Sequence, residues 1–365
     1  MRIVHLSDIH LSADNYQEFV NDYRGALIQD LLNYHNHSKK IDLIIITGDL
    51  VDKGGYSLFS IEEYKEYDNP YKIFEDHFIT PIAVALNISK KCFLFIPGNH
   101  DVDERGILLW DESNLCKNIS ATNINRHLKE NRDYKHSERI RKFKEFEQNY
   151  HSSTPEYEFT QNQSTYIHSY GNHRIGFILM NDSWRCTSVK LANVNSKFYV
   201  GEQQIHDALN VLDSKNTMLN ICLFHHAVDD YAESAEIGGL LQRKNIELFL
   251  YGHFHSTTTA NLYSPFGLCW GFRSRAALFR PEEVNSTYHS GYQILDLDLD
   301  AYKVVAVHYR KYEYAPSAKR FIADNATAPN DGIDRNRSNQ NKGFNLSREG
   351  QTKTTRTLNK DSFKS

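Results

Sequence analysis

Apolar residues recur along this chain in short unbroken bursts. Residues 3–6, 43–47, 92–96 and 219–224 are rich in β-branched and aromatic side chains and read as buried strands. Between the first two, residues 16–35 carry a helical spacing. Strand, helix and strand at these separations predict parallel pairing through crossovers. Residues 56–88 are tyrosine-rich and amphipathic, with Pro70 and Pro81 as breakers, and predict short helices, the last over about 81–87. The pattern then turns to charged helix over 126–150, where Arg, Lys and Glu alternate around Ile140, Phe143 and Phe146, and predicts a helical cap or insert at about 103–163. Alternating runs at 165–170 and 174–181 flank Gly171-Asn172, a two-residue hairpin signal that opens a second sheet. A helix at 201–213, a helix at 237–244 and a strand at 247–251 restore the strand-helix rhythm. Strands at about 257–263, 268–272, 292–298 and 304–309 are expected to complete the second sheet.

Composition narrows the class. The chain has 365 residues, 40% hydrophobic and 24% charged, enough for one large core. A net charge of −4 provides no global basic field, so nucleic-acid contact would have to be local. Five cysteines, odd in number and widely spaced, form neither a disulfide framework nor a paired zinc site and suit a reducing compartment. The opening MRIVHLSDIH runs straight into a strand, and no stretch approaches the roughly 18 apolar residues of a membrane span. A cytoplasmic protein without membrane association is the expectation. From residue 323 to 365 the composition falls to Asn, Ser, Thr, Gly, Arg and Lys, which cannot repay ordering entropy. A domain over 1–322 followed by a disordered tail or linker is therefore predicted.

The chemistry stands where the apolar bursts end. Asp8 and His10 follow the first, Asp49 the second, Asn99 the third, His225 the strand at 219–224, and His253 with His255 the strand at 247–251. These are hard-to-intermediate metal ligands. Alternation along an extended strand would point Asp8 and His10 to one side, and likewise His253 and His255. Asp49 can bridge two ions through two oxygens, and Asn99 adds a carbonyl oxygen without further charge. Gly48, Gly98 and Gly252 suit tight turns beside the ligands. Two divalent ions about 3.5–4 Å apart would activate a hydroxide nucleophile and neutralise a phosphoryl group in flight.

The ordered set DIH, GDLVD, GNHD, a histidine after a buried strand and GHFH resembles the calcineurin-like metallophosphoesterase superfamily over roughly residues 1–310. The resemblance implies an α/β fold, a two-sheet β-sandwich flanked by helices in four αββα layers. It implies one metal site from Asp8, His10, Asp49 and His255, and a second from Asp49, Asn99, His225 and His253, filled by manganese, iron or zinc. His226 competes with His225, and the family's position directly after the strand favours the latter. His100 is implied as the residue that contacts substrate phosphate or protonates the leaving group, with Asp52 orienting it.

Two departures from the protein Ser/Thr phosphatase branch, Asp101 in GNHD and Lys53-Gly54 after the aspartate, point toward diesterase-type chemistry, since Lys and Arg are not interchangeable at a bidentate phosphate site. The expected activity is hydrolysis of a phosphodiester or phosphomonoester of a nucleotide-like small molecule. The competing readings are a DNA or RNA nuclease of the SbcD type, for which 126–144 and the basic tail are the candidate contacts, and an effector or sensor module that engages a protein partner through its C-terminal tail. Specificity is expected in the insert and around Trp184 and Tyr231.

Overall fold

The computed structural model describes residues 1–37, 39–107, 113, 117, 119–130, 138–186, 198–243, 246–254, 258–264, 267–278, 289–315, 318–335 and 344–346. Two mixed sheets carry the fold. In the first, β1 (Arg2–Leu6), β2 (Leu43–Thr47) and β3 (Phe93–Ile96) are parallel neighbours. The parallel pairing follows from the helical crossover Ala13–His37, which includes one π-helical turn at Phe19–Tyr23.

The second sheet begins with β4 (Tyr157–Glu158) and the hairpin of β5 (Ser164–Tyr170) and β6 (His173–Leu179), closed at Gly171-Asn172 as the turn signal predicts. It continues in parallel through β7 (Leu219–Leu223), β8 (Ile246–Tyr251) and β10 (Gly267–Arg273), with β9 (Thr258–Ser264) antiparallel at the edge.

The later strands correct the expectation that they complete this second sheet. β11 (Gly291–Asp298) pairs antiparallel with β1, and β12 (Lys303–Ala315) and β13 (Ala318–Ala323) extend the first sheet from there. β1 is buried on both faces and β2 covers only one of its edges. Its other row of backbone groups needs a partner, and β11 supplies it.

The tail prediction is also corrected in part. β14 (Ile333–Asp334) and β15 (Phe344–Asn345) pair with β12, and Ala328, Phe344 and Leu346 are buried with the inter-sheet core. Isolated apolar residues in a polar stretch were enough to dock it. Residues 336–343 and 347–365 of the predicted tail lie outside the described residues.

Strand alternation builds the layers. On β2, Leu43 and Ile45 face the second sheet, where they meet Phe177, Ile221 and Leu250. Ile44 and Ile46 face the other way, onto Phe19, Leu27, Phe78 and Ile82 of the flanking helices. Beyond the second sheet, Ile178, Cys222 and Phe249 meet Ile205 and Leu209 of helix Gln203–Ser214 and Ile237 and Leu241 of helix Ser234–Arg243. The result is the expected helix, sheet, sheet, helix stack.

Within the predicted insert, helix Arg141–His151 is part of the main core. Phe143 and Phe146 pack on Tyr71 and Phe95. Its outward charges are neutralised along the helix, Arg141 by Glu138 and Glu145, and Lys142 by Glu145. Helix Ala121–Glu130 instead packs Ile124 and Leu128 on Trp184 in a small cluster of its own.

Candidate metal centre

The C-terminal ends of β1, β2, β3, β7 and β8 converge at one end of the two sheets, and the loops leaving them are unusually bent. Asp8, His10, Asp49, Lys53 and His253 all adopt positive φ, between 48° and 74°. Non-glycine residues in this region carry a cost of order 1–3 kcal/mol each and persist where the surroundings enforce them. Asp8 and His10 therefore reach the site from a left-handed loop beyond Leu6. The strand alternation expected to aim them has ended before they begin. Backbone bonds from Asp8 to the Gly48 carbonyl, and from Ile9 and His10 to the Asp49 carbonyl, hold the first two loops together. A Cβ on Gly98 would collide with the Asp49 carboxylate, and one on Gly48 with the His225 ring, so glycine is required at both.

Asp49 stands at the middle. Its Oδ2 lies 3.5 Å from His10 Nε2 and 3.4 Å from His225 Nε2, while its Oδ1 accepts the His100 N–H at 2.7 Å. Asp8 Oδ1 is 3.9 Å from His10 Nε2, and its Oδ2 accepts the His253 N–H at 3.1 Å. Asn99 Oδ1 lies 2.9 Å from His225 Nε2 and 3.0 Å from His253 Nδ1. Thus Asp8, His10, Asp49, Asn99, His225 and His253 are brought together, with Asp8, His10, Asp49 and His225 buried and Asn99 and His253 partly exposed. His255 lies outside the described residues. Groups of donor atoms within 4.8 Å of one another include Asp8, Asp49 and His225, and also His10, Asp49 and His100.

The donor chemistry tests what this centre can hold. His225 Nδ1 donates to the Thr47 carbonyl at 2.8 Å, so Nε2 presents a lone pair toward Asn99 Oδ1 and Asp49 Oδ2. Three acceptors converge, and only a cation or an extra proton on Nε2 satisfies them. Burial opposes the imidazolium, yet Asp49 beside it raises His225 to about 10. The same contact holds Asp49 well below the usual carboxylate range against the opposing effect of burial. His253, also buried and beside His225 and His226, is pushed down to about 4, as a neutral imidazole available for ligation. A divalent ion fits this set, and its binding would displace the proton from His225.

A family model for calcineurin-like phosphoesterases matches residues 1–257, which carry all of this constellation. The chain belongs to that family. It is a metal-dependent phosphoester hydrolase. Among solved structures, it is similar to purple acid phosphatase PPD1 from yellow lupin, at 16% identity and a TM-score of 0.43 over 88% of this chain and 53% of that one. It is similar to the NAD nucleotidase of Haemophilus influenzae at 12% identity and a TM-score of 0.42, over 88% of this chain and 50% of that one. Zinc-complexed Vps29 from Entamoeba histolytica matches at 11% identity and a TM-score of 0.29, over 88% of this chain and 97% of that one. The chain thus spans about half the length of the first two. A sequence comparison with curated proteins gives no match.

Around the phosphoesterase centre, His100 is partly exposed, and its Nδ1 meets Asp52 Oδ1 at 2.6 Å, the pairing expected of an oriented acid. Its ring stands edge-on to His10, 4.6 Å between centroids. His226, the competitor of His225, is turned to Asp182 through Nδ1 at 3.1 Å and lies 3.9 Å from Cys186 Sγ through Nε2.

Asp182 is the residue that sequence reasoning missed. One of its oxygens accepts the backbone N–H groups of His225 and His226 and the Tyr231 hydroxyl. It fixes the loop that presents His225. The signal was available: an acidic residue just past the buried strand β6, as Asp8 and Asp49 stand past β1 and β2. Asp101 holds the other side, accepting N–H groups from Leu50, Val51 and Gly98 and a Tyr71 hydroxyl bond. It ties the GNHD loop to the GDLVD loop. The Lys53 side chain is 82% exposed beside Asp52. Trp184, which donates to the Val200 carbonyl, and Tyr231, which donates to Asp182, are both buried.

Proposed function

We propose that this phosphoesterase is dinuclear and hydrolyses a phosphodiester or phosphomonoester of a nucleotide-like small molecule. The observation that carries the reading is Asp49, whose one oxygen lies 3.5 Å from His10 and 3.4 Å from His225, between two separate donor groups. On this reading, Asp8, His10 and Asp49, with His255, hold one ion, and Asp49, Asn99, His225 and His253 hold the other. Manganese, iron and zinc all suit the mixed nitrogen and oxygen set. When bound, two such ions neutralise phosphoryl oxygens and activate the attacking water.

The protein's own groups do the rest. Asp52 keeps a proton on His100 Nδ1, and the partly exposed ring hydrogen-bonds the phosphate or delivers a proton to the leaving oxygen. The loops bent at Asp8, Asp49 and His253 hold their donors before substrate arrives, so little reorganisation accompanies reaction. Purified protein with manganese should release 4-nitrophenolate from bis-4-nitrophenyl phosphate or from 4-nitrophenyl phosphate. Inertness toward both across metals and pH would overturn the proposal.

A further inference from the structure

The centre explains hydrolysis of a phosphoester and leaves the organic half of the substrate unassigned. Next to His253 stands Phe254, 41% exposed. Among the described residues, only Val84 and Tyr314 are comparably exposed large hydrophobics, and these lie on helix Thr80–Leu86 and on β12. A single exposed hydrophobic is ordinary on a protein surface. Its placement here is what matters.

The Phe254 ring stands 5.1 Å from the His253 ring at 75°, so it borders a side chain that faces Asn99. Its backbone is pinned, because the Phe254 N–H donates to the Gly252 carbonyl at 3.0 Å and the His253 N–H donates to Asp8. Arg273 from the end of β10 lies over the ring, its guanidinium carbon 5.0 Å from the centroid, and also reaches Tyr251 at 6.0 Å. A cation over an aromatic face holds the ring in place and withdraws electron density from it.

We propose that Phe254, backed by Arg273, is the surface on which the substrate's nucleobase stacks. This rests on the phosphoesterase reading above and narrows its substrate to a nucleotide. The chemistry is direct: the Phe254 ring adjoins His253, so an aromatic face stands beside a phosphate held at the metal centre, on the side where the organic half of a nucleotide would lie. Bases stack on aromatic side chains without regard to sequence.

The test uses non-hydrolysable phosphonate analogues of adenosine monophosphate and of ribose 5-phosphate, titrated calorimetrically into the manganese-loaded full chain. Stacking predicts that the adenosine analogue binds roughly 5- to 150-fold more tightly than the ribose one. Phe254→Leu, which keeps the bulk and loses the aromatic face, should bring that ratio close to one without weakening the ribose analogue. Phe254→Trp should keep the ratio. A ratio near one in the natural protein, or one that survives in a Phe254→Leu variant with an unchanged melting temperature, would overturn the proposal. Hydrolysis of bis-4-nitrophenyl phosphate, measured separately, reports on the underlying phosphoesterase reading alone.

Discussion

Two buried clusters of charged side chains in this molecule are balanced in opposite ways. Under helix Arg141–His151, Lys144 meets Glu147 at 2.5 Å, and the Tyr157 hydroxyl donates to the same carboxylate. Lys144 also donates to the Asn162 carbonyl at 3.2 Å. Cation, anion and hydrogen-bond partners are all supplied by the chain, so this cluster is complete as it stands. At the strand ends, Asp49 and Asn99 oxygens converge on His225 Nε2, while the other ring nitrogen already donates to Thr47. That cluster becomes complete only with a cation or with an added proton on Nε2, which a bound ion would displace. The lesson is that burial of charge does not by itself mark a site. An excess of acceptors held together by bent loops does.

The sharpest way to break this comparison is to remove the shared acceptor. Asp49→Ala should leave no measurable turnover of bis-4-nitrophenyl phosphate under metal conditions that activate the natural protein, because one residue serves both donor groups. Turnover within tenfold of the natural protein would mean that the two groups work independently. His100→Asn should lower kcat by about 10²- to 10⁴-fold, the usual worth of a positioned acid, while the melting temperature stays put. Asp52→Asn, which removes the carboxylate that orients the His100 ring, should cause a smaller fall in kcat with KM little changed.

The complete cluster should respond in stability and not in chemistry. Lys144→Met leaves Glu147 buried without its cation and should cost about 3–5 kcal/mol in urea unfolding, with kcat per folded molecule unchanged. Adding Glu147→Leu should recover most of that loss, since an apolar pair replaces a buried ion pair well. Failure of the double variant to recover would show that the pair does more than balance itself.

Smallest is a pH effect. Burial holds both His5 and His151 down at about 3 from an ordinary 6.5. The unfolded chain takes up these protons as pH falls below 6.5 and the folded chain does not until about 3. Stability from these groups is therefore complete above that range and is lost as pH falls through it. His151→Phe keeps a ring against Tyr157, which His151 stacks on at 3.8 Å, and should flatten the fall in melting temperature between pH 7 and pH 5. An equal fall in both proteins would reject the assignment.

Much of this was legible along the chain. The buried strands, the hairpin at Gly171-Asn172 and the residues that follow each strand could be read from apolar runs and local turn chemistry. The docking of β11 onto β1 could not, because an antiparallel partner nearly 290 residues away leaves no local trace. The left-handed loops were misread as strand alternation, since φ at Asp8, His10 and His253 is imposed by neighbouring loops and not by those residues' own preferences. Asp182 stands past β6 as Asp8 and Asp49 stand past β1 and β2, but it accepts backbone N–H groups of the His225 loop, and those contacts leave no motif of their own in the sequence. The short strands β14 and β15 depended on single buried residues such as Phe344, too few to form a periodic pattern.

The central claim is that Asp49 joins two cation sites. Metal-depleted protein titrated with manganese, with bound metal counted by elemental analysis after desalting, tests it most directly. The account predicts two ions per chain in the natural protein, one in His225→Ala and none retained in Asp49→Ala. One ion in the natural protein, or two retained by Asp49→Ala, would contradict it.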